Sequence, residues 1–317
     1  MMKQTHQTTL RAAVALSGIG VHSGKDVRVV LHPAEANHGI MFLRTGLTGG
    51  RERLIEARHV AVSATALCTV VGDEATGSVS TVEHLMAALR GLGVDNVLVE
   101  IDGAEMPILD GSSAPFVEAI DEVGIVKLKA TRRYIKILKP VRITNGKAFS
   151  ELLPNDRGFR LDVDIDFPTP VIGRQRMVID LSPSAFRHDI AGARTFGFMS
   201  DVEKLWKIGF ARGSSLENSV AIGDDGILNP EGLRYSDEFV RHKLLDAVGD
   251  LSLAGLPLLA TYRSYCGGHK MNFLVLEALF SDRSNYTIVE TAGARRESVY
   301  GEVGASHIAP VYAQEAV

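Results

Sequence analysis

Cysteine is close to missing from this 317-residue chain, which has only Cys68 and Cys266, far apart and in no C-x-x-C pattern. That excludes a disulfide framework and a cysteine-built zinc site, so any metal here takes nitrogen and oxygen ligands. Long apolar runs are missing too. No stretch reaches the roughly 18 residues that a membrane span needs, and the first ten residues hold no apolar signal core. A cytoplasmic protein without a transmembrane segment is expected. Nor is there a strong excess of one charge: 34 Lys and Arg stand against 38 Asp and Glu, a net charge of -4 that makes no electrostatic case for nucleic acid or an anionic membrane. Small-molecule chemistry in a monomer is the expectation that remains.

The composition present is that of a soluble globular protein, 45% hydrophobic and 23% charged, and the length favours two domains. The first half reads as strands, with a Gly-rich turn at Gly18 to Gly24 and a strand at Val27 to Leu31, then short β-like pieces from Ile40 to Val71 that suggest a small extra sheet. A helix follows at Ser80 to Arg90, with Gly91 at its C-terminus. The strand Val97 to Ile101 and a helix from about Pro115 to Val123 complete this half. The charged segment Lys127 to Arg133 reads as a separator, giving a first domain over 1–128, a second over 132–297 and a weakly ordered tail over 298–317. The second half again puts strands first and a helix later: Tyr134 to Leu138, the alternating Leu161 to Phe167, Met177 to Leu181, then a helix over Asp237 to Ala254. The fold class read from this order is α+β, with the halves as structural repeats. Between these elements lies a βαβ-like insertion, about 196–222, rich in Phe196, Phe198, Met199, Leu205 and Trp206. Such bulk suits either a small core or the wall of a lipid passage.

Polar residues at ligand spacing stand out on the late helix. Val240, Leu244, Val248 and Leu251 make its buried stripe, while His242, Asp246 and Asp250 recur every four residues beside it. An imidazole and a carboxylate at i and i+4 can converge on one cation, as helices do for zinc, although the same pair also serves as a simple His-Asp hydrogen bond. A third ligand must come from elsewhere. His84 is the candidate, with Glu83 beside it as a base toward a metal-bound water; the competing reading is that Ser80 and Glu83 form a capping box. His269, in a loop after Gly267 and Gly268, is a general-acid candidate. His22, in the early turn, reads as solvated.

Five motifs in order, Ser80-Thr81-Val82-Glu83-His84-Leu85, Ile108-Leu109-Asp110-Gly111-Ser112, Ala193-Arg194-Thr195-Phe196-Gly197-Phe198, Arg241-His242-Lys243-Leu244-Leu245-Asp246 and Gly267-Gly268-His269, are similar to those of the UDP-3-O-acyl-N-acetylglucosamine deacetylase family. The resemblance runs from about residue 8 to about residue 295. It implies a zinc amidase of lipid A biosynthesis acting on an acylated UDP-sugar, with two similar sheet-plus-helix domains, the site between them and a small insertion in each. It implies zinc on His84, His242 and Asp246, Glu83 as base, His269 as the acid for the departing amine, Thr195 as an oxyanion donor and Asp250 as the carboxylate that orients His269. Lys243, Phe196 and Phe198 are implied at the substrate, with Phe167 and Lys147 toward the nucleotide. Cys68 matches a cysteine near the zinc. Two imidazoles and one carboxylate suit Zn2+, and Fe2+ would also fit. The rival readings are another zinc amidase with the same constellation, and a non-catalytic sugar-nucleotide binder, which would have no need of a base beside a ligand.

Overall fold

A computed structural model describes residues 5–290, and the expected tail over 298–317 lies outside them. The fold is α+β. Strands of the first half form a five-stranded sheet in the order Val14–Ile19, Asp26–Pro33, Val97–Ile101, Ile40–Leu47, Arg51–Glu56. Only the pairing of Ile40–Leu47 with Val97–Ile101 is parallel. The second half forms a seven-stranded sheet centred on Leu258–Tyr265, which pairs antiparallel with Ala148–Pro154 and parallel with Phe159–Asp166 and Arg133–Ile137. Two additions are present, the first with shifted bounds, because Ile40–Leu47, expected in the small extra sheet, pairs instead within the five-stranded one. A three-stranded sheet occupies Val62–Ala64, Val70–Asp73 and Gly77–Val79, and Phe196–Phe198 pairs parallel with Val220–Ile222 across an intervening helix.

The described helices are α1 (Glu83–Leu92), α2 (Ala114–Val123), α3 (Pro183–Ala185), α4 (Met199–Lys207), α5 (Glu238–Ser252) and α6 (His269–Phe280). Every residue of α1 is buried, as its apolar residues on all sides require. In α5 only Arg241 and Lys243 escape full burial. These two helices pack on each other inside one continuous apolar core, to which both sheets contribute, from Val29 and Phe42 on one side to Leu161 and Ala260 on the other. Their approach is set by Gly249. A Cβ there would sit 2.1 Å from the Glu83 carbonyl oxygen, a distance no side chain tolerates. Gly249→Ala should therefore push α5 from α1, an overpacking penalty of about 1–3 kcal/mol, and lower the melting temperature by several degrees. Thermal unfolding of the variant checks this; an unchanged melting temperature would show that the helices separate freely at this point.

Three local expectations are corrected. Ser80 and Glu83 make no capping box: Glu83 is the first helical residue, no side chain caps α1, and the Ser80 hydroxyl donates instead to the Ala104 carbonyl. The glycine ending α1 is Gly93, left-handed at φ 79°, rather than Gly91, which is inside the helix because the Phe186 ring lies against it. The expected separator is largely a strand, Ile125–Thr131, paired antiparallel with His6–Leu10; its two lysines alternate outward from apolar neighbours.

Candidate metal centre

Three elements bring the site together. The first turn of α1 supplies Glu83 and His84, α5 supplies His242, Asp246 and Asp250 along one face, and α6 begins at His269. The last of these is thus a helical residue and not, as expected, a loop residue. The loop carrying Thr195 is held over α5 by Arg194, a buried guanidinium whose Nε donates to Glu238 at 2.9 Å. That loop meets Gly111: the Thr195 amide donates to the Gly111 carbonyl at 2.8 Å, and a side chain at residue 111, where φ is +82°, would strike the Asn218 carbonyl.

His84, His242 and Asp246 offer ligand atoms that all lie within 4.8 Å of one another, and all three are buried. His242 Nε2 is 3.4 Å and His84 Nε2 is 3.9 Å from Asp246 Oδ1, with the two rings at 87°. His242 Nδ1 lies 3.0 Å from the Ala193 carbonyl, which can only accept, so Nδ1 carries the proton and Nε2 keeps its lone pair toward the cluster. Asp246 Oδ2 accepts from Lys243 Nζ at 2.8 Å, but Oδ1 is buried without a hydrogen-bond partner among the described residues. A buried carboxylate oxygen left so is costly unless a cation meets it. Burial pushes His84 down to about 3, helped by neighbouring His242, and burial also lowers His242, so both imidazoles are in the neutral, ligating form. Burial opposes charge on Asp246, yet the Lys243 ammonium and the protonated His269 hold it well below the usual carboxylate range. The donor set fits a borderline divalent metal.

Around this cluster stand two titratable groups displaced from their ordinary values. Glu83, 3% exposed, is pushed up to about 7 by burial, with His269 pulling partly the other way; its Oε2 accepts from the Thr69 amide at 3.1 Å. His269 Nε2 faces Glu83 Oε1 and Asp246 Oδ2, each at 3.9 Å, while Nδ1 lies 2.9 Å from Asp250 Oδ2. Burial works against its proton, but Asp250 and then Asp246 outweigh that and hold it up at about 10. Asp250 is itself satisfied: Thr69 Oγ1 donates to Oδ1 at 2.6 Å and Asn272 Nδ2 to Oδ2 at 2.8 Å. Thr69 and Asn272 were not singled out from the sequence. The only sign of Asn272 was its place one turn after His269, legible once His269 is known to begin a helix.

A cavity of about 640 Å³ opens on the cluster. Glu83, His84, Thr195, His242, Lys243, Asp246 and His269 lie at one end, and Phe198, Met199, Val202, Leu205 and Trp206 wall the rest. Phe167 and Phe196 also line it, edge to face at 5.9 Å. His22 lines it as well, 5.9 Å from Phe210, so the turn histidine is not simply solvated. Asp250 stands behind His269 rather than on the cavity. Lys147 does not line it; it is exposed between the strands Val141–Asn145 and Ala148–Pro154. Cys68 lines the cavity, where burial and then the charge of Glu83 push its thiol up to about 12 and keep it neutral.

Residues 7–281 match the family model described as UDP-3-O-acyl N-acetylglycosamine deacetylase. The chain is 50% identical over 287 residues to proteins named UDP-3-O-acyl-N-acetylglucosamine deacetylase from Brucella ovis and Brucella canis, a match covering 90% of this chain and 99% of each relative. A third, from Brucella abortus, is similar to the same degree.

Proposed function

The chain belongs to the UDP-3-O-acyl N-acetylglycosamine deacetylase family, and from that premise we propose that it removes the N-acetyl group of a UDP-3-O-acyl-N-acetylglucosamine with the help of zinc, releasing acetate and a free amine at the committed step of lipid A biosynthesis. The observation that carries this reading is the orphaned Asp246 Oδ1 between two neutral imidazoles at the end of an apolar cavity, with a base and an acid beside it. We place the work in the cytoplasm; no described helix is long and apolar enough to cross a membrane.

His84, His242 and Asp246 would hold the metal. When bound, zinc supplies Lewis acidity, lowering the pKa of a water to about 7 and polarising an amide carbonyl. Glu83 takes the proton of the attacking water, a task for which a carboxylate raised to about 7 is well matched. The Thr195 hydroxyl donates to the developing oxyanion, and Lys243, its ammonium 2.8 Å from Asp246 Oδ2, adds positive charge nearby. The amine leaves only when protonated. His269 gives it that proton from Nε2, with Nδ1 fixed on Asp250. In Asp250→Asn the anion that supports the imidazolium is gone, so the His269 pKa falls and the alkaline limb of kcat against pH should move to lower pH. An alkaline limb unmoved in that variant would remove His269 from the role of acid.

The apolar wall supports an acyl chain as part of the substrate. Each buried methylene contributes about 0.8 kcal/mol, so a chain of about ten carbons could supply most of the binding energy even after ordering losses. Truncating Phe198 or Trp206 to Ala should weaken a long-chain substrate far more than its short-chain counterpart, read as kcat/KM for a matched pair that differ only in the acyl group. Equal losses for both substrates would assign the insertion to packing and leave the acyl chain without this wall.

A further inference from the structure

Asp250, behind the site, is held from the other half of the chain. Thr69 immediately precedes the strand Val70–Asp73 of the small three-stranded sheet and is 2% exposed. The chain arrives there through Leu67, left-handed at φ 69°, and this turn gives Leu67 and Cys68 to the cavity and Thr69 to the interior. A bulky residue in that region is strained, and the strain persists only where the surroundings fix it. Thr69 makes two bonds of different kinds. Its amide donates to Glu83 Oε2 at 3.1 Å, and its hydroxyl donates to Asp250 Oδ1 at 2.6 Å, a partner 181 residues along the chain. Its carbonyl accepts from the Val82 amide at 3.3 Å, which ties the segment to the residue just before Glu83. A threonine hydroxyl commonly turns back on nearby backbone. This one crosses from the first half to the second.

The other donors to Asp250 do not make that crossing. His269 Nδ1 and Asn272 Nδ2 share Oδ2, and both stand in the first turn of α6, so they move together. The Asn272 amide is oriented in turn by the Tyr262 hydroxyl, which donates to its Oδ1 and lies 3.0 Å from the Ser150 hydroxyl. These contacts seat α6 on Asp250 without fixing where the pair stands relative to Glu83. Thr69 supplies that reference. Glu83 Oε1 and His269 Nε2 face each other across 3.9 Å, and a misplacement of about 1 Å in such a pair can cost about a hundredfold in rate.

We infer that Thr69 is a positioning residue for the deacetylation, its amide and hydroxyl holding the base Glu83 and the Asp250–His269 pair in one frame. Thr69 does not line the cavity, so it acts through the two carboxylates and not on the substrate. The assignment rests on the deacetylase reading above.

Thr69→Val keeps the shape and the amide and removes only the hydroxyl. A hydrogen bond to a charged group is at stake, so kcat should fall about tenfold to a hundredfold, with KM and metal content unchanged. Thr69→Ser, which regains the hydroxyl, should restore kcat. In an Asp250→Ala background Thr69→Val should cost nothing further, because the hydroxyl has no carboxylate left to hold. An equal fall in both backgrounds, or no rescue by serine, would overturn the assignment. The Nδ1 proton resonance of His269 in the zinc-loaded protein gives a second reading: it should move in Thr69→Val and return in Thr69→Ser, and a resonance that stays in place in the valine variant would overturn the assignment as fully. This reading needs no turnover. It decides the part of Thr69 even if the parent failed to deacetylate the N-acetyl substrate, a failure that would sink the deacetylase reading alone. Should Thr69→Val not fold, Thr69→Ala, which also keeps the amide and lacks the hydroxyl, carries the same comparisons.

Discussion

Glu83→Ala is expected to lower turnover by several orders of magnitude and leave the metal in place. A positioned general base is worth about 10²–10⁴ in rate, and here the lost group also faces His269 across 3.9 Å, so acid and base lose their mutual arrangement together. The ligands themselves stay: His84 is the adjacent residue but reaches the cluster from its own side chain, and its helix does not depend on a cap from Glu83. An N-cap role would be lost at about 1 kcal/mol of stability with turnover nearly intact. Glu83→Gln, which can still accept from the Thr69 amide through its carbonyl oxygen, separates the two: it should fold like the parent and fail like the alanine variant. Metal content by elemental analysis, paired with single-turnover rates, decides it. A variant that is slightly less stable but fast would return Glu83 to a structural role.

His242→Ala is expected to lose both metal and activity. It removes one of three ligands and the only one whose tautomer is fixed by a backbone carbonyl, that of Ala193. Changing even a partner of a ligand typically lowers metal affinity or activity 10–100-fold, so removing the ligand should exceed about a hundredfold. Chelator treatment of the parent should mimic the substitution and readdition of Zn2+ should reverse it, whereas the variant should not recover. Metal-stripped protein that retained full rate would refute a metal-dependent mechanism outright.

The local parts of this arrangement were legible in the sequence, and the parts that depend on distant contacts were not. His242, Asp246 and Asp250 announce themselves because a helix turns in 3.6 residues and their spacing of four keeps them on one face. Their meeting with His84 rests on the packing of α1 against α5, which periodicity does not encode; the family resemblance supplied it. Ser80 misled because S-x-x-E reads as a cap until the Ala104 carbonyl, 24 residues on, takes the hydroxyl. Gly91 misled because its lack of a side chain serves the ring of Phe186, far off in the chain. The strand Ile125–Thr131 hid behind its lysines, since its partner is His6–Leu10 at the other end of the first half. Thr69 and Asn272 gave no signal at all: a threonine and an asparagine acquire a role only through the Asp250 carboxylate they both reach.

The division of the ligands between α1 and α5 also bears on how the protein comes into being on the ribosome. At about 5–20 residues per second, His84 is made roughly 8 to 30 seconds before His242 and Asp246, and His269 follows later still. During that interval the nascent chain holds only one imidazole of the cluster, that of His84, too little to retain a metal there. The three donors meet only when α5 has emerged and docked on α1 through Gly249, so a metal held at this site would be taken up by finished molecules and not by growing ones. A bound ion would from then on draw the population toward the docked form by mass action, because its three donors are gathered only in the folded chain.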